Sequence, residues 1–303
     1  MVSDTSTSYS HLPVMVHEIC EFLQHFRLKR ILDCTLGEGG HSEFFLENFS
    51  PDIFLTGIER DPEVYRISRH RLARFNEKIK LYNCSFSKID EILSAQDEAA
   101  YFNVILFDIG ISSYHIDRSG RGFSFMKREK LDMRFDPGSG FPASDVVNSC
   151  KKDELADIFF LYGEEHLSRR YASAVFDYRK KKKIETSFEL GEIIKNAAPG
   201  RLKRGRIHPA TRVFQALRIY VNHELEEFQT ALEVSIRYLA PGGRLIVISY
   251  HSLEDRIVKT FFKGLSREDY KILTKRPLSP SLTEKRTNNR SRSAKMRVIE
   301  RLE

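Results

Sequence analysis

Cysteine is scarce in this chain. Its 303 residues include four, Cys20, Cys34, Cys84 and Cys150, scattered without a C-x-x-C pair or any zinc-ligand spacing. That argues against a disulfide framework and a zinc site, and reduced thiols in a cytoplasmic setting are the simplest account. Long apolar runs are missing as well: no stretch reaches the roughly 18 residues that a membrane span needs. The opening MVSDTSTSYS is polar and has no apolar stretch of a secretory signal. There is no H-E-x-x-H, so no metal is expected. The G-x-S-x-G elbow of a serine hydrolase is absent, and so is the G-x-G-x-x-G of a dinucleotide site. No internal repeat is visible.

The residues present support a sizeable fold. Hydrophobic residues make up 41%, enough for a core, and the length suits one large domain or two ordinary ones. A net charge of +7 and a pI of about 9.1 point to a polyanionic partner. The charge is uneven. Residues 114–211 hold 20 Lys and Arg against 14 Asp and Glu, residues 274–303 hold 9 against 3, and the remainder is net acidic.

The chain is organised around Arg30–Ser42, RILDCTLGEGGHS. Ile31 and Leu32 read as a short strand, and a helix is expected over Ser42–Phe49. Between them run Asp33, Gly37, Gly39 and Gly40. A strand, a glycine turn and a helix form the opening unit of a nucleotide-binding α/β domain. Glycines let the backbone approach a ligand, and the helix start offers free N–H groups. With Asp33 at the strand end and Thr35 in place of a first glycine, the loop resembles the D/E-x-G-x-G-x-G turn of S-adenosylmethionine-dependent methyltransferases. A carboxylate there suits the cofactor's ammonium, and glycine N–H groups suit its carboxylate.

Further strands are expected at Phe54–Ile58, Leu81–Ser85, Phe102–Asp108, Leu245–Ser249, Tyr270–Leu273 and Met296–Ile299, the last two as an antiparallel hairpin at the sheet edge. Helices are expected over His11–Phe26, Pro62–Phe75, Asp153–Tyr162, His166–Tyr178 and Ser187–Ala198. A single long amphipathic helix is expected over Thr211–Leu239, ended by Pro241-Gly242-Gly243. Asp33, Glu59, Phe86 and Asp108 then stand at the carboxyl ends of four strands, where open α/β sheets bind ligands. Glu59 follows Gly39 at the distance where such folds place an acid on ribose hydroxyls.

Several residues carry alternatives. Asp108 suits an adenine or substrate amino group, or simply caps a turn. Tyr114 and His115 extend the same rim, as stacking groups or as packing. Arg121 and Phe123 fit a phosphate and a splayed base, or belong to an Arg–Asp network that orders their own loop. His251 faces the target base, while Ser252 and Asp255 resemble a capping box. The basic runs Arg179–Lys183, with Lys181, and Arg201–Arg206, with Arg204, are phosphate contacts or solvated faces.

Together these residues resemble the bacterial small-subunit ribosomal RNA (cytosine-N4) methyltransferase family, MraW, over nearly the whole chain. The resemblance rests on His11-Leu12-Pro13-Val14-Met15, Gly37 to Ser42, Asp108 to Ser113, Arg121 to Met126, Leu131 to Arg134, His208 to Arg212 and Ser252 to Arg256. It implies an α/β, Rossmann-like class I methyltransferase with a seven-stranded, mostly parallel sheet. The catalytic body is expected over 1–113 and 212–303, with an inserted all-helical RNA-recognition domain over 114–211. It implies methyl transfer from S-adenosyl-L-methionine to N4 of a cytosine in the decoding centre of 16S rRNA, in the small ribosomal subunit. The cofactor contacts implied are Gly39, Gly40, His41, Glu59, Phe86, Asp108 and His115, with Asp108 or the Ile109–Ser113 carbonyls accepting the N4 hydrogens. Glu59 stands where members commonly have Asp and keeps the carboxylate; His115 stands where they commonly have Gln. Rival readings are a methyltransferase of DNA or another RNA, a non-catalytic ribosome-assembly factor, and an NAD-dependent enzyme, which the glycine spacing disfavours.

Overall fold

The structure, a computed structural model, describes residues 13–24, 26, 28–94, 101–205 and 207–303. The expected helix start at His11, with Leu12, and Arg206 of the second basic run lie outside the described residues. The chain divides into two compact units, Met1–Gly110 with Ala231–Glu303, and Ile111–Thr230.

The first unit is built on one seven-stranded sheet: β1 Arg30–Asp33, β2 Phe54–Glu59, β3 Ile79–Asn83, β4 Phe102–Asp108, β5 Leu239–Ser249, β6 Tyr270–Ile272 and β7 Lys295–Arg301, in the spatial order β3-β2-β1-β4-β5-β7-β6. β1 to β5 run parallel. β4, FNVILFD, is apolar almost throughout because both its faces are covered. β7 runs antiparallel to both neighbours and lies between β5 and β6. The final two strands pair as expected, but only β6 is an edge.

Helices α1 Val16–Leu23, α2 Gly40–Asn48, α3 Pro62–Arg71 and α4 Ile89–Ser94 belong to this unit. α3 starts at Pro62 because Asp61 caps it, its carboxylate accepting from the Glu63 and Val64 N–H groups. The apolar interior gathers Ile19, Leu23, Ile31, Leu55, Val104, Leu106, Ile246, Met296 and Val298.

The second unit is helical: α5 Ser113–Asp117, α6 Ala143–Ser149, α7 Lys152–Gly163, α8 Ser168–Arg179, α9 Ser187–Ala197, α10 Gly200–Lys203 and α11 Thr211–Asn222, with α12 Glu224–Ser235 crossing its boundary. Its own core includes Leu131, Met133, Leu155, Phe159, Tyr171, Leu190, Val213 and Leu217. Thr186 caps α9, accepting from the Glu189 N–H. α7 packs closely on α11 at Gly163: a Cβ there would run into the Arg212 carbonyl oxygen and lie 3.2 Å from the Ala216 side chain. Gly163→Ala is therefore expected to destabilise the fold by about 1–3 kcal/mol, read as a lower urea midpoint.

Local differences from the sequence expectation have physical causes. The expected Thr211–Leu239 helix breaks at His223, which adopts a left-handed conformation at φ 52 and ends α11. Asn222 beside it is buried, donating to the Met133 carbonyl at 2.7 Å and accepting from the Phe135 N–H at 2.8 Å. The apolar stripe continues on both sides of the break, so the periodicity conceals it. Pro241-Gly242-Gly243 lies inside β5 as a bulge, where Leu239 pairs with Phe102 and Arg244 with Val104. Gly243 is required there, since a Cβ would lie 2.8 Å from the Ala240 carbonyl oxygen. β3 ends at Asn83, before the expected Ser85, because Ser85 instead caps a short 3-10 turn at Phe86–Lys88. α13 Ser252–Gly264 is capped one residue earlier than expected, by His251 with Glu254 rather than Ser252 with Asp255. Asp255 instead pairs with Arg297 on β7 at 2.7 Å.

Candidate active site

At the carboxyl end of the parallel strands the chain turns sharply after β1. Gly37 and Gly39 have φ values of 53 and 83, a region L side chains rarely adopt. Gly39 caps α2 with no side-chain hydrogen bond, so the first N–H groups of the helix face outward unsatisfied by a cap. Glu59 at the end of β2 braces this corner. Its Oε2 accepts from the Gly37 N–H at 2.9 Å and its Oε1 from the Asp61 N–H at 2.7 Å. Burial pushes the Glu59 carboxyl up to about 7.

Asp33 at the end of β1 is buried and accepts from the Ser42 hydroxyl at 2.6 Å and from the Thr35 N–H at 3.2 Å. Burial raises its carboxyl, against the pull of the Ser42 hydrogen bond. Thr35 reaches across to β4, its Oγ1 accepting from the Asp108 N–H at 2.6 Å. Asp108 Oδ1 accepts from the Tyr250 hydroxyl at 2.7 Å, and Oδ2 lies 3.7 Å from His41 Nδ1. Burial raises the Asp108 carboxyl; His41 and the Tyr250 bond pull it down. Phe86, half-buried after β3, sets its ring edge-to-face on Phe107 of β4 at 6.0 Å.

One wall comes from distant sequence. His41 is buried, and its Nε2 lies 2.9 Å from the Val14 carbonyl. Val14 and Met15 are in turn held by α14 Leu282–Thr287: Glu284 accepts from the Met15 N–H at 2.9 Å, and Glu18 on α1 accepts from the Ser281 N–H at 3.0 Å.

The structure thus gathers Asp33, Gly37, Gly39, Gly40, His41, Glu59, Phe86 and Asp108 at one rim of the first unit. His41 lines that rim with its ring turned to Val14 and Asp108. The sequence reading missed Tyr250. The signal was the register: Asp108 pairs with Ile248 on β5, so residue 250 follows on the same face.

The other expected residues have their own partners. His251 is engaged as the cap of α13, against Glu254. His115 belongs to the second unit, where it closes a capping box with Ser112 and packs its ring 5.1 Å from Phe123 and 4.9 Å from Phe135. Tyr114 is half-buried beside it. Arg121 is buried and donates to the Arg134 and Phe135 carbonyls at 3.0 and 2.7 Å. Phe123 is buried in the same loop, stacked on Phe135. Burial tends to raise the neighbouring Asp132, but hydrogen bonds from Arg134 hold it below the usual carboxylate range. Arg121 is thus tied to carbonyls of its own loop, and the Arg–Asp pair of that loop is Arg134 with Asp132. In the first basic run Arg179 turns inward to the Val147 and Cys150 carbonyls, while Lys180, Lys181, Lys182 and Lys183 are exposed, as is Arg204 in the second. Among the described residues no group of three His, Cys, Asp or Glu could hold a metal ion, and no helix is long and apolar enough to cross a membrane.

A sheet of this order with β7 reversed, and a glycine corner flanked by strand-end carboxylates, define a class I S-adenosylmethionine-dependent methyltransferase. The chain belongs to the MraW methylase family, whose sequence profile matches residues 8–302. It is 45% identical over 293 residues to the Ribosomal RNA small subunit methyltransferase H of Persephonella marina, spanning 96% of this chain and 99% of that one. The protein of that name from Borrelia hermsii is 46% identical over 296 residues, covering 96% and 98%. That from Dictyoglomus thermophilum is 44% identical over 294 residues, covering 97% of each.

The site fits the cofactor's chemistry. Asp33, Glu59 and Asp108 are all pushed toward the neutral form by burial. A ligand carrying a sulfonium and an ammonium supplies the missing positive charge. The uncapped start of α2 suits its carboxylate.

Proposed function

We propose that this protein methylates N4 of a cytosine in small-subunit ribosomal RNA, within the decoding centre of 16S rRNA. The observation that carries the reading is the match along nearly the whole chain to relatives named Ribosomal RNA small subunit methyltransferase H. Asp33, Gly37, Gly39, Gly40, Glu59, Phe86 and Asp108 hold S-adenosylmethionine, which supplies an electrophilic methyl group when bound. His41 supports that wall.

The N4 lone pair of cytosine is delocalised into its ring, so the nitrogen is a weak nucleophile and needs close positioning. It forms its bond to the methyl carbon, the electrons of the old bond leave with the sulfur, and the nitrogen then releases a proton. Asp108 is the acceptor: it is the carboxylate at the end of the central strand β4, and a nearby acceptor both raises nucleophilicity and takes up the proton. Cys34 and Cys84 follow the ends of β1 and β3, but burial raises both thiols, and Asp33 raises Cys34 further, against the thiolate that covalent attack on the ring, as C5 methylation requires, depends on.

The helical insert and the basic segment 275–295, which includes α14, bind the RNA backbone. Exposed Lys181 and Arg204 supply salt-dependent affinity rather than sequence choice. The target base is unstacked to reach the pocket. Purified protein is expected to transfer labelled methyl from the cofactor to small ribosomal subunits from cells lacking the gene, with N4-methylcytidine after digestion. Label at C5, or none in rRNA, would sink the reading.

A further inference from the structure

Asp108 is held from both sides, and the two sides differ in chemistry. Tyr250 donates its hydroxyl to Oδ1 at 2.7 Å. Its ring packs on Gly110, where a Cβ would lie 3.2 Å away. Its own N–H is fixed by Glu254 Oε2 at 2.7 Å. The hydroxyl is therefore aimed at one carboxylate oxygen, and the other, Oδ2, is left toward His41.

His41 is oriented just as firmly. The Val14 carbonyl is only an acceptor, so the ring nitrogen 2.9 Å from it, Nε2, carries a hydrogen. In the neutral ring Nδ1 is then the lone-pair nitrogen, and it is the one that faces Asp108 Oδ2 at 3.7 Å. Two lone pairs facing each other across that gap are a place for one proton. The separation exceeds a hydrogen bond by about 0.7 Å, a looseness common in ligand-free sites that tighten on binding.

We propose that Tyr250, Asp108 and His41 form a proton relay for the methyl transfer, with Tyr250 as the positioning residue and His41 as the second station. The proton released by the substrate nitrogen goes to Asp108 Oδ2 and passes to His41 Nδ1, leaving Asp108 ionised. The positive ring then has two carboxylates, Asp33 and Asp108, that both interact with it. Among the described residues, the charged and titratable groups that interact with Asp108 are Asp33 on β1, His41 on α2, Tyr250 after β5, Glu254 on α13 and Glu284 on α14. Apart from His41 all are acids, so this ring is the one group among them that can gain a positive charge. The same bond that fixes its tautomer ties it, through Val14 and Met15, to Glu284 on α14.

The proposal rests on Asp108 as the acceptor. Tyr250→Phe keeps the ring and removes the hydroxyl. Because that hydrogen bond favours the ionised carboxylate, its loss raises the Asp108 pKa. The acid limb of the kcat profile should move up by about one pH unit, a tenfold change in the ionised fraction on that limb. His41→Gln retains an amide donor for Val14 but no base, and kcat at saturating cofactor should fall about 100-fold. Nitrogen-15 NMR of the cofactor-free protein should show His41 as the Nε2–H tautomer. An Nδ1–H tautomer, an acid limb unmoved in Tyr250→Phe, or a His41→Gln defect confined to cofactor binding overturns the relay. If Asp108→Asn is inactive while both other variants behave as wild type, the relay alone fails. If Asp108→Asn keeps full activity, the acceptor assignment falls and the relay with it.

Discussion

Asp108→Asn is expected to lower kcat by about 10²–10⁴-fold, the range associated with losing a positioned acid or base, while the protein stays folded. The substitution keeps the shape of the side chain. An amide oxygen can still accept from the Tyr250 hydroxyl at the Oδ1 position, and the amide N–H groups point at His41 Nδ1, which in its neutral form accepts. What is lost is the capacity to take up a proton. Burial also makes the change tolerable: the carboxyl is already pushed up from its usual range, so a neutral isostere relieves a desolvation penalty rather than creating one. Single-turnover methyl transfer, with cofactor binding by calorimetry and a melting curve alongside, separates the possibilities. A kcat near that of the unmodified enzyme would remove Asp108 from the chemistry.

Glu59→Ala is expected to act on binding instead, raising the cofactor's Kd by about 10–150-fold. That corresponds to the ~1.5–3 kcal/mol of a hydrogen bond to a charged group. The variant also releases the Gly37 and Asp61 N–H groups that the carboxylate now holds, so the glycine corner loosens. The pH dependence has a definite sign. The folded-state carboxyl sits at about 7 because of burial, above its unfolded value, so the cofactor-free protein binds more protons than the unfolded chain between the two values. Its stability from this group therefore falls as pH rises from the ordinary carboxylate range to about 7, and is level above that. A cationic ligand reverses the preference and favours the ionised carboxylate. S-adenosylmethionine should thus bind more tightly as pH rises toward about 7, releasing protons, with a level affinity above that, and Glu59→Ala should flatten the slope. Titrations in buffers of different ionisation heat measure both; an affinity independent of pH would contradict the assignment.

The strands that carry the site were legible because they are buried on both faces. β2 and β4 begin at the residues expected, Phe54 and Phe102, and Asp33, Glu59 and Asp108 stand at strand ends as the glycine loop implied. Side-chain partnerships were less visible. Nothing in the run SYHSLEDR distinguishes Tyr250, which reaches Asp108, from His251, which caps a helix; strand register decides between them, and pairing is a long-range property. Arg121 and Phe123 show the opposite limit. Their types suit RNA equally well as a packed loop, and burial alone distinguishes the two. The break at His223 was hidden because both flanking helices share one apolar stripe.

The place of β7 has a consequence for biosynthesis. It pairs with β5 on one side and β6 on the other, yet it is made after both. While the chain is still being translated, β5 presents an open edge, and Ser281 and Glu284, which bond to Glu18 and to the Met15 N–H, have not yet emerged. The wall behind His41 therefore closes only when residues nearly 270 apart meet, at a sequence separation of 269 for Met15 and Glu284. Folding of this unit cannot finish vectorially from its first residues, and the unfinished edge is one a chaperone would shield. A nascent chain stalled before β7 should be inactive, however complete its glycine corner.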